Sequence, residues 1–268
     1  MGFGQTGWSS RIGICATPLA VTVALAVAAD TAVLWVEEFY RGMTACLEVY
    51  HTSIAGGDVV RSPVVTVAIT AFGQVEENRT ICRSKARSNW AIVATGFHGA
   101  SRAGLELLLN PEFGQNLEKG DRTSLILAHQ RPKPRLDVLP FLWEILDAAG
   151  EFAIAGMDSS DGLADAIVQV CRASGVGAKV DRTKIPIPPI LNEIVSTEKA
   201  LEWALYGGED FELVLFLPID RAKLIVEQIG DGCAIVGITT DSTDIWLTDS
   251  SGICADVRLE IDRGFQHF

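Results

Sequence analysis

Three short stretches combine glycines with carboxylates in a way that could bind a metal–phosphate ligand. The sharpest is Met157-Asp158-Ser159-Ser160-Asp161-Gly162-Leu163, set between an apolar run and a helix-forming one. Two carboxylates three positions apart at the end of a strand can hold a hard cation, and Ser160 offers a hydroxyl to a phosphate or to the same ion. The start of the following helix adds free N–H groups and positive dipole character, which suit an anion. A plainer use stands beside this one, because Asp and Ser are also preferred helix N-caps. Gly207-Gly208-Glu209-Asp210 is the second stretch, where two glycines permit close backbone approach to a ligand and two acids follow. Its plain reading is a tight turn into an edge strand. Gly56-Gly57-Asp58 is the third, with Arg61 after it, and a simple turn is again the default. Arg83, Arg131 and Arg135 are the basic candidates, since a guanidinium can donate two parallel hydrogen bonds to phosphate. No G-x-x-x-x-G-K-[ST] loop, G-x-G-x-x-G fingerprint, H-E-x-x-H helix or G-x-S-x-G elbow occurs, so the common nucleotide and hydrolase motifs are not indicated.

The elements that must position these residues alternate between strand and helix. Leu19 to Ala28 reads as a buried strand, and Trp35 to His51 as a helix with Trp35, Phe39, Met43, Cys46, Leu47 and Tyr50 at helical spacing. Gly56-Gly57 ends that element, and Val64 to Phe72 is a second β-rich run. The polar, basic stretch Asn78 to Asn89 marks a domain boundary. Beyond it the expected strands are Trp90–Thr95, Phe152–Met157, Gly175–Val180, Phe211–Leu217, Ala234–Ile238 and Asp244–Leu247. Helices are expected over Arg102–Leu109, Leu136–Ala149, Gly162–Ala173 and Arg221–Ile229, and the Ile185–Pro189 segment is a rigid connector. The result is an α/β or α+β architecture in two domains.

Composition narrows the function classes. The 268 residues carry a formal charge of −12, which argues against a nucleic-acid partner because such proteins need a clustered basic footprint. A nucleotide stays open, since metal ions can neutralise phosphate beside carboxylates. Six cysteines without C-x-x-C pairing read as buried, reduced thiols and fit a cytoplasmic location. The apolar run Ile12–Ala29 follows Arg11 and holds Ala26-Val27-Ala28, as a signal peptide would. Pro18 and the β-branched Val21-Thr22-Val23 favour a buried strand instead. No other run approaches the length of a membrane span.

Taken in order, these pieces resemble the thiamine-monophosphate kinases, relatives of aminoimidazole ribonucleotide synthetase and selenophosphate synthetase. The resemblance rests on Gly56–Asp58 with Arg61-Ser62-Pro63, then Thr95-Gly96 with Gly99, Ser101 and Ala103-Gly104-Leu105. It continues through His129 to Arg135, Asp158 to Leu163 and Ala204 to Asp210, and closes on Gly264-Phe265-Gln266-His267-Phe268. It implies an incomplete N-terminal domain of the aminoimidazole ribonucleotide synthetase-like type over residues 1–80, binding ATP and metal and forming a homodimer where intact. The matching C-terminal α/β domain would cover 88–268. It implies a kinase that uses ATP and Mg2+ to convert thiamine monophosphate to thiamine diphosphate. Asp58, Asp158 and Asp161 would be magnesium ligands, with Gly57, Asp58, Arg83 and Ser160 at the nucleotide. Glu209 would hold the thiamine phosphate and Phe265 would lie against its ring system. No side chain is assigned a covalent catalytic role.

The departures are equally specific. The family's leading G-D-D-A, T-T-D and D-x-A-A-M segments are not found. Ser10-Arg11-Ile12-Gly13-Ile14 stands where the last would fall, and Val59-Val60 replaces a pair of threonines. The likeness begins at Ala16-Thr17-Pro18, which implies an N-terminally truncated member with residues 1–15 of other origin. Two further readings stay open at this level: a non-catalytic homologue that binds nucleotide or serves as an interaction module, and a secreted binding protein.

Overall fold

The β-branched run expected as a strand becomes β1 (Thr17–Val27), the centre of a three-stranded sheet. A computed structural model describes residues 16–76, 79–148 and 152–260 of the chain, which divides into the units Met1–Thr80 and Ile81–Phe268. In the first unit β1 lies parallel to β2 (Ile54–Arg61) and antiparallel to β3 (Thr66–Gln74). Alternation along β1 turns Val21, Val23 and Leu25 toward α1 (Val33–Val49), where Phe39, Met43 and Leu47 recur one turn apart and close a small core. Ala24 and its register partners Asp58 and Ala68 share the opposite face, which is exposed.

One sequence expectation is corrected here. Gly56-Gly57-Asp58 is not a turn: it lies inside β2, with Gly57 in register with Val23. Glycine is required by proximity, because a Cβ at Gly57 would sit 2.0 Å from the Val23 carbonyl oxygen. Gly57→Ala is therefore expected to push β2 off β1 and destabilise this sheet by about 1–3 kcal/mol. Urea unfolding followed by hydrogen exchange of the β1 and β2 amides would read the loss directly.

The second unit is built on a seven-stranded sheet ordered β10-β9-β6-β8-β4-β7-β5. Its strands are β4 (Ala91–Ala94), β5 (Ala155–Asp158), β6 (Gly177–Asp181), β7 (Leu213–Leu217), β8 (Ala234–Thr240), β9 (Ile245–Thr248) and β10 (Val257–Arg258). Every residue of β4, β5 and β7 is buried, which explains their short, nearly uninterrupted apolar sequences. All neighbours are antiparallel except β6 and β9. The helices are α2 (Ala100–Leu109), α3 (Lys119–Gln130), α4 (Leu139–Asp147), α5 (Leu163–Ser174), α6 (Thr197–Tyr206) and α7 (Ile219–Ile229). α3 and α6 were not expected from sequence, and the helix expected from Leu136 opens with a 3-10 turn over Leu136–Val138. Strand β7 lies between β4 and β5, so the Gly207–Asp210 loop does not lead into an edge strand.

Candidate active site

Strand β5 ends at Asp158, whose side chain is buried, and α5 starts at Leu163. The turn between them is fixed from several sides. The Ser159 amide donates to the Glu212 carbonyl at 2.8 Å, the Glu212 amide donates to Ser159 Oγ at 3.1 Å, and the Gly162 amide donates to the Ser159 carbonyl at 3.1 Å. Gly162 has φ 109°, and a Cβ there would approach the Leu205 carbonyl oxygen to 2.7 Å. This turn does not cap α5 through its side chains: the N-cap is Gly162 and no side-chain cap bond is made. The plainer use of these Asp and Ser residues is thereby removed.

The loop after α6 locks onto the same turn. The Glu209 amide donates to the Ser160 carbonyl at 2.7 Å, and Gly208, at φ 67°, leaves no room for a side chain beside that oxygen. Glu209 and Phe211 hold left-handed backbone conformations at φ 60° and 53°. Such positions disfavour L side chains by roughly 1–2 kcal/mol each and persist only where the surroundings impose them. The glycine–acid stretches at Asp158–Gly162 and Gly207–Asp210 therefore meet as one structure, as a shared site requires. Glu209 is half exposed, with Oε2 3.5 Å from Nδ1 of His129, which also contacts Ser101 Oγ at 3.1 Å.

Asp210 points elsewhere. Its carboxylate accepts from the Gly99 amide at 2.8 Å and the Ser101 amide at 2.9 Å, so it holds the first turn of α2. Burial pushes this carboxyl up to about 7 although the amides favour its charged form. The folded chain keeps the proton between about pH 4 and 7, where the unfolded chain has lost it, so this group's contribution to stability falls as pH rises through that window. His98 works the other way. Fully buried between the Gly96 carbonyl and Ser159 Oγ, it titrates near about 4, and its contribution is lost as pH drops from the ordinary imidazole range toward that value. The slopes oppose each other, so Asp210 is best read by difference. Between about pH 4.5 and about pH 7.5, denaturant unfolding should show the wild type losing stability relative to Asp210→Asn.

The basic candidates separate by environment. Arg83 lies beside α5, its Nη1 donating to Gln169 Oε1 at 2.7 Å and its carbonyl accepting from Ser174 Oγ at 2.7 Å. Arg131 is exposed. Arg135 is consumed structurally: Nη1 donates to Glu212 at 2.5 Å and to the Thr95 carbonyl at 2.8 Å, and Asp137 takes its other edge. Thr95 Oγ1 donates to the same Glu212 carboxylate at 2.6 Å and accepts from the Leu213 amide at 2.9 Å. Gly96 must be glycine here, because a Cβ would fall 2.3 Å from the Glu212 carboxyl. This Thr95–Arg135–Glu212 cluster, with His98 and Ser159, ties β4, β5 and β7 together under the site and escaped sequence reasoning.

Gly57 and Asp58 belong to the first unit, where Asp58 Oδ1 accepts from the Val59 amide at 2.8 Å on the exposed face of β2. Phe265 lies outside the described residues. Among the described residues, no three His, Cys, Asp or Glu side chains come together to hold a metal ion. Magnesium typically takes one or two carboxylates and completes its shell with water and substrate phosphate oxygens. The hard oxygen donors Asp158 and Asp161 on one turn fit that mode. No helix among the described residues is long and apolar enough to cross a membrane.

Comparison with known proteins first gives the class. Residues 12–75 match the family "AIR synthase related protein, N-terminal domain", starting close to the Ala16 from which the likeness was read. The protein has the fold of that class: the thiamine-monophosphate kinase of Stenotrophomonas maltophilia superposes with a TM-score of 0.73 at 27% identity, over 86% of this chain and 72% of that one. A structure described as AaThiL complexed with AMPPCP and TMP gives 0.73 at 26% identity, over 91% and 75%. The thiamine-monophosphate kinase of Synechococcus elongatus is 44% identical over 255 residues, 94% of this chain and 74% of that protein. The chain belongs to the thiamine-monophosphate kinase family.

Proposed function

We infer that the chain transfers the terminal phosphoryl group of ATP to thiamine monophosphate, giving thiamine diphosphate and ADP. The observation that carries this reading is the interlock of the Asp158–Gly162 turn with the Gly208–Glu209 loop in a member of this family. A relative of the same fold was captured with AMPPCP and TMP together, the pair of ligands such a transfer needs.

In this reading Asp158 and Asp161 are magnesium ligands of the second unit, and Asp58 is a magnesium ligand of the first. Gly57, Ser160 and Arg83 meet the nucleotide, while Glu209 and Phe265 meet the thiamine moiety. When bound, the metal supplies charge neutralisation on the phosphates. An oxygen of the substrate phosphate forms the new P–O bond as the bond to the ADP leaving group breaks. Such transfers depend mainly on positioning and electrostatics, which agrees with a site of fixed turns and hard oxygen donors. The position of Asp158 suits that work: it stands at the end of a fully buried strand, in register with Leu213 of β7.

Residues 1–80 would form the N-terminal ATP- and metal-binding domain with a homodimer contact, and 88–268 the C-terminal domain of the aminoimidazole ribonucleotide synthetase-like type. The exposed β1–β3 face, with Phe72 49% and Val60 50% accessible, supports a second copy as its cover. The thiols of Cys171, Cys233 and Cys254 support a cytoplasmic location. The charge of −12 supports small-molecule partners rather than nucleic acid. The test is ADP release by the purified chain with ATP and magnesium. It should depend on thiamine monophosphate and yield one thiamine diphosphate per ADP; ADP release indifferent to thiamine monophosphate would overturn the reading.

A further inference from the structure

Arg83 is held by a relay that neither the sequence motifs nor the relatives' names point to. Its Nη1 donates to Gln169 Oε1 at 2.7 Å, and Gln169 Nε2 in turn donates to Asp165 Oδ2. Asp165 and Gln169 are four residues apart on α5 and so share one face of the helix. Ser174, at the end of the same helix, fixes the Arg83 backbone: its hydroxyl donates to the Arg83 carbonyl at 2.7 Å and accepts from the Ala86 amide at 3.0 Å. α5 also begins at the turn that carries Asp158, Ser160 and Asp161. One rigid helix thus indexes the arginine against that turn.

The relay has a direction. An amide side chain has one accepting and one donating end, and oxygen and nitrogen swap places if it flips. The carboxylate of Asp165 can only accept, so it fixes which end of Gln169 faces Arg83. Asp165 is half-buried beside Asp161, Arg83 and Arg172, and burial raises its carboxyl above the ordinary range.

We propose that Gln169, oriented by Asp165, is a positioning residue that presents the Arg83 guanidinium to the nucleotide phosphates. This rests on the reading of Arg83 as a phosphate contact. Gln169→Met keeps the length and approximate volume of the side chain but neither hydrogen bond, and Asp165→Asn retains an acceptor for Gln169 without the charge. Arg83→Ala reports the contact itself.

The experiment is calorimetric titration of the full chain with AMPPCP and magnesium, alongside thermal unfolding of each variant. Gln169→Met should weaken binding about tenfold, close to the effect of Arg83→Ala, with an unfolding midpoint within about 2 °C of the wild type. Asp165→Asn should bind within about threefold of the wild type, and Asp165→Ala should behave like Gln169→Met. If Arg83→Ala weakens binding while Gln169→Met does not, the relay is wrong and the phosphate contact stands. If Arg83→Ala binds like the wild type, or the wild type does not bind, the nucleotide role of Arg83 fails and the relay with it. Should Gln169→Met not fold, the contrast between Asp165→Asn and Asp165→Ala decides the question alone: equal affinities would overturn the proposal.

Discussion

Asp158→Asn is expected to lower the turnover of thiamine monophosphate by about 100-fold or more, the usual scale for losing one preorganised electrostatic contact in a transfer reaction. The substitution keeps the shape of the side chain and removes only the charge. Asp158 is 3% exposed and ends a strand whose backbone is paired residue by residue with β7, so the amide variant has no room to rearrange. Stability should change little, because the amide is nearly isosteric with the carboxylate, and the unfolding midpoint should stay close to that of the wild type. Steady-state kinetics with calorimetric unfolding would show both at once. Equal turnover in the two proteins would remove Asp158 from the site; a large loss of stability would make it a structural residue.

Breaking the Arg135–Glu212 pair should have the largest effect on folding. Both side chains are 16% exposed, and the pair is reinforced by Thr95 and by the Thr95 carbonyl. Arg135→Met leaves the Glu212 carboxylate buried without its cation, in surroundings where burial already pushes its carboxyl up. Removing one partner of a buried pair costs about 3–5 kcal/mol. At about 2–4 °C per kcal/mol for a domain of this size, the midpoint should fall by about 6–20 °C. Arg135→Met combined with Glu212→Gln should recover most of that loss, because the uncompensated charge is gone while an acceptor for Thr95 remains. A single variant within about 1 °C of the wild type would show that the pair contributes little.

The contrast between these two predictions shows what the sequence made legible. Asp158, Ser160 and Asp161 stand out because a strand, a turn and a helix follow each other in the chain, so the whole local context lies within one short segment. Glu212 does not, and Arg135 reads as a phosphate candidate rather than as its partner, because the meaning of each comes from a residue 77 positions away. Asp210 was grouped with Glu209 as a neighbouring acid, but the left-handed backbone at Glu209 and Phe211 sends the two carboxylates to different tasks. Gly56-Gly57 reads as punctuation by composition. Only the close approach of β2 to β1 shows why glycine belongs inside that strand. α3 was missed because Leu125 is its only fully buried residue and its sequence carries little apolar periodicity. α6 could have been found: Ser196 caps Lys199, and Ala200, Trp203 and Ala204 follow at helical spacing.

The most direct test follows the phosphorus atom. With ATP labelled in its terminal phosphoryl group, magnesium and thiamine monophosphate, the purified chain should place the label in thiamine diphosphate, one equivalent per ADP formed. Label recovered only as inorganic phosphate, or left in ATP by a folded and monodisperse sample, would contradict the assignment.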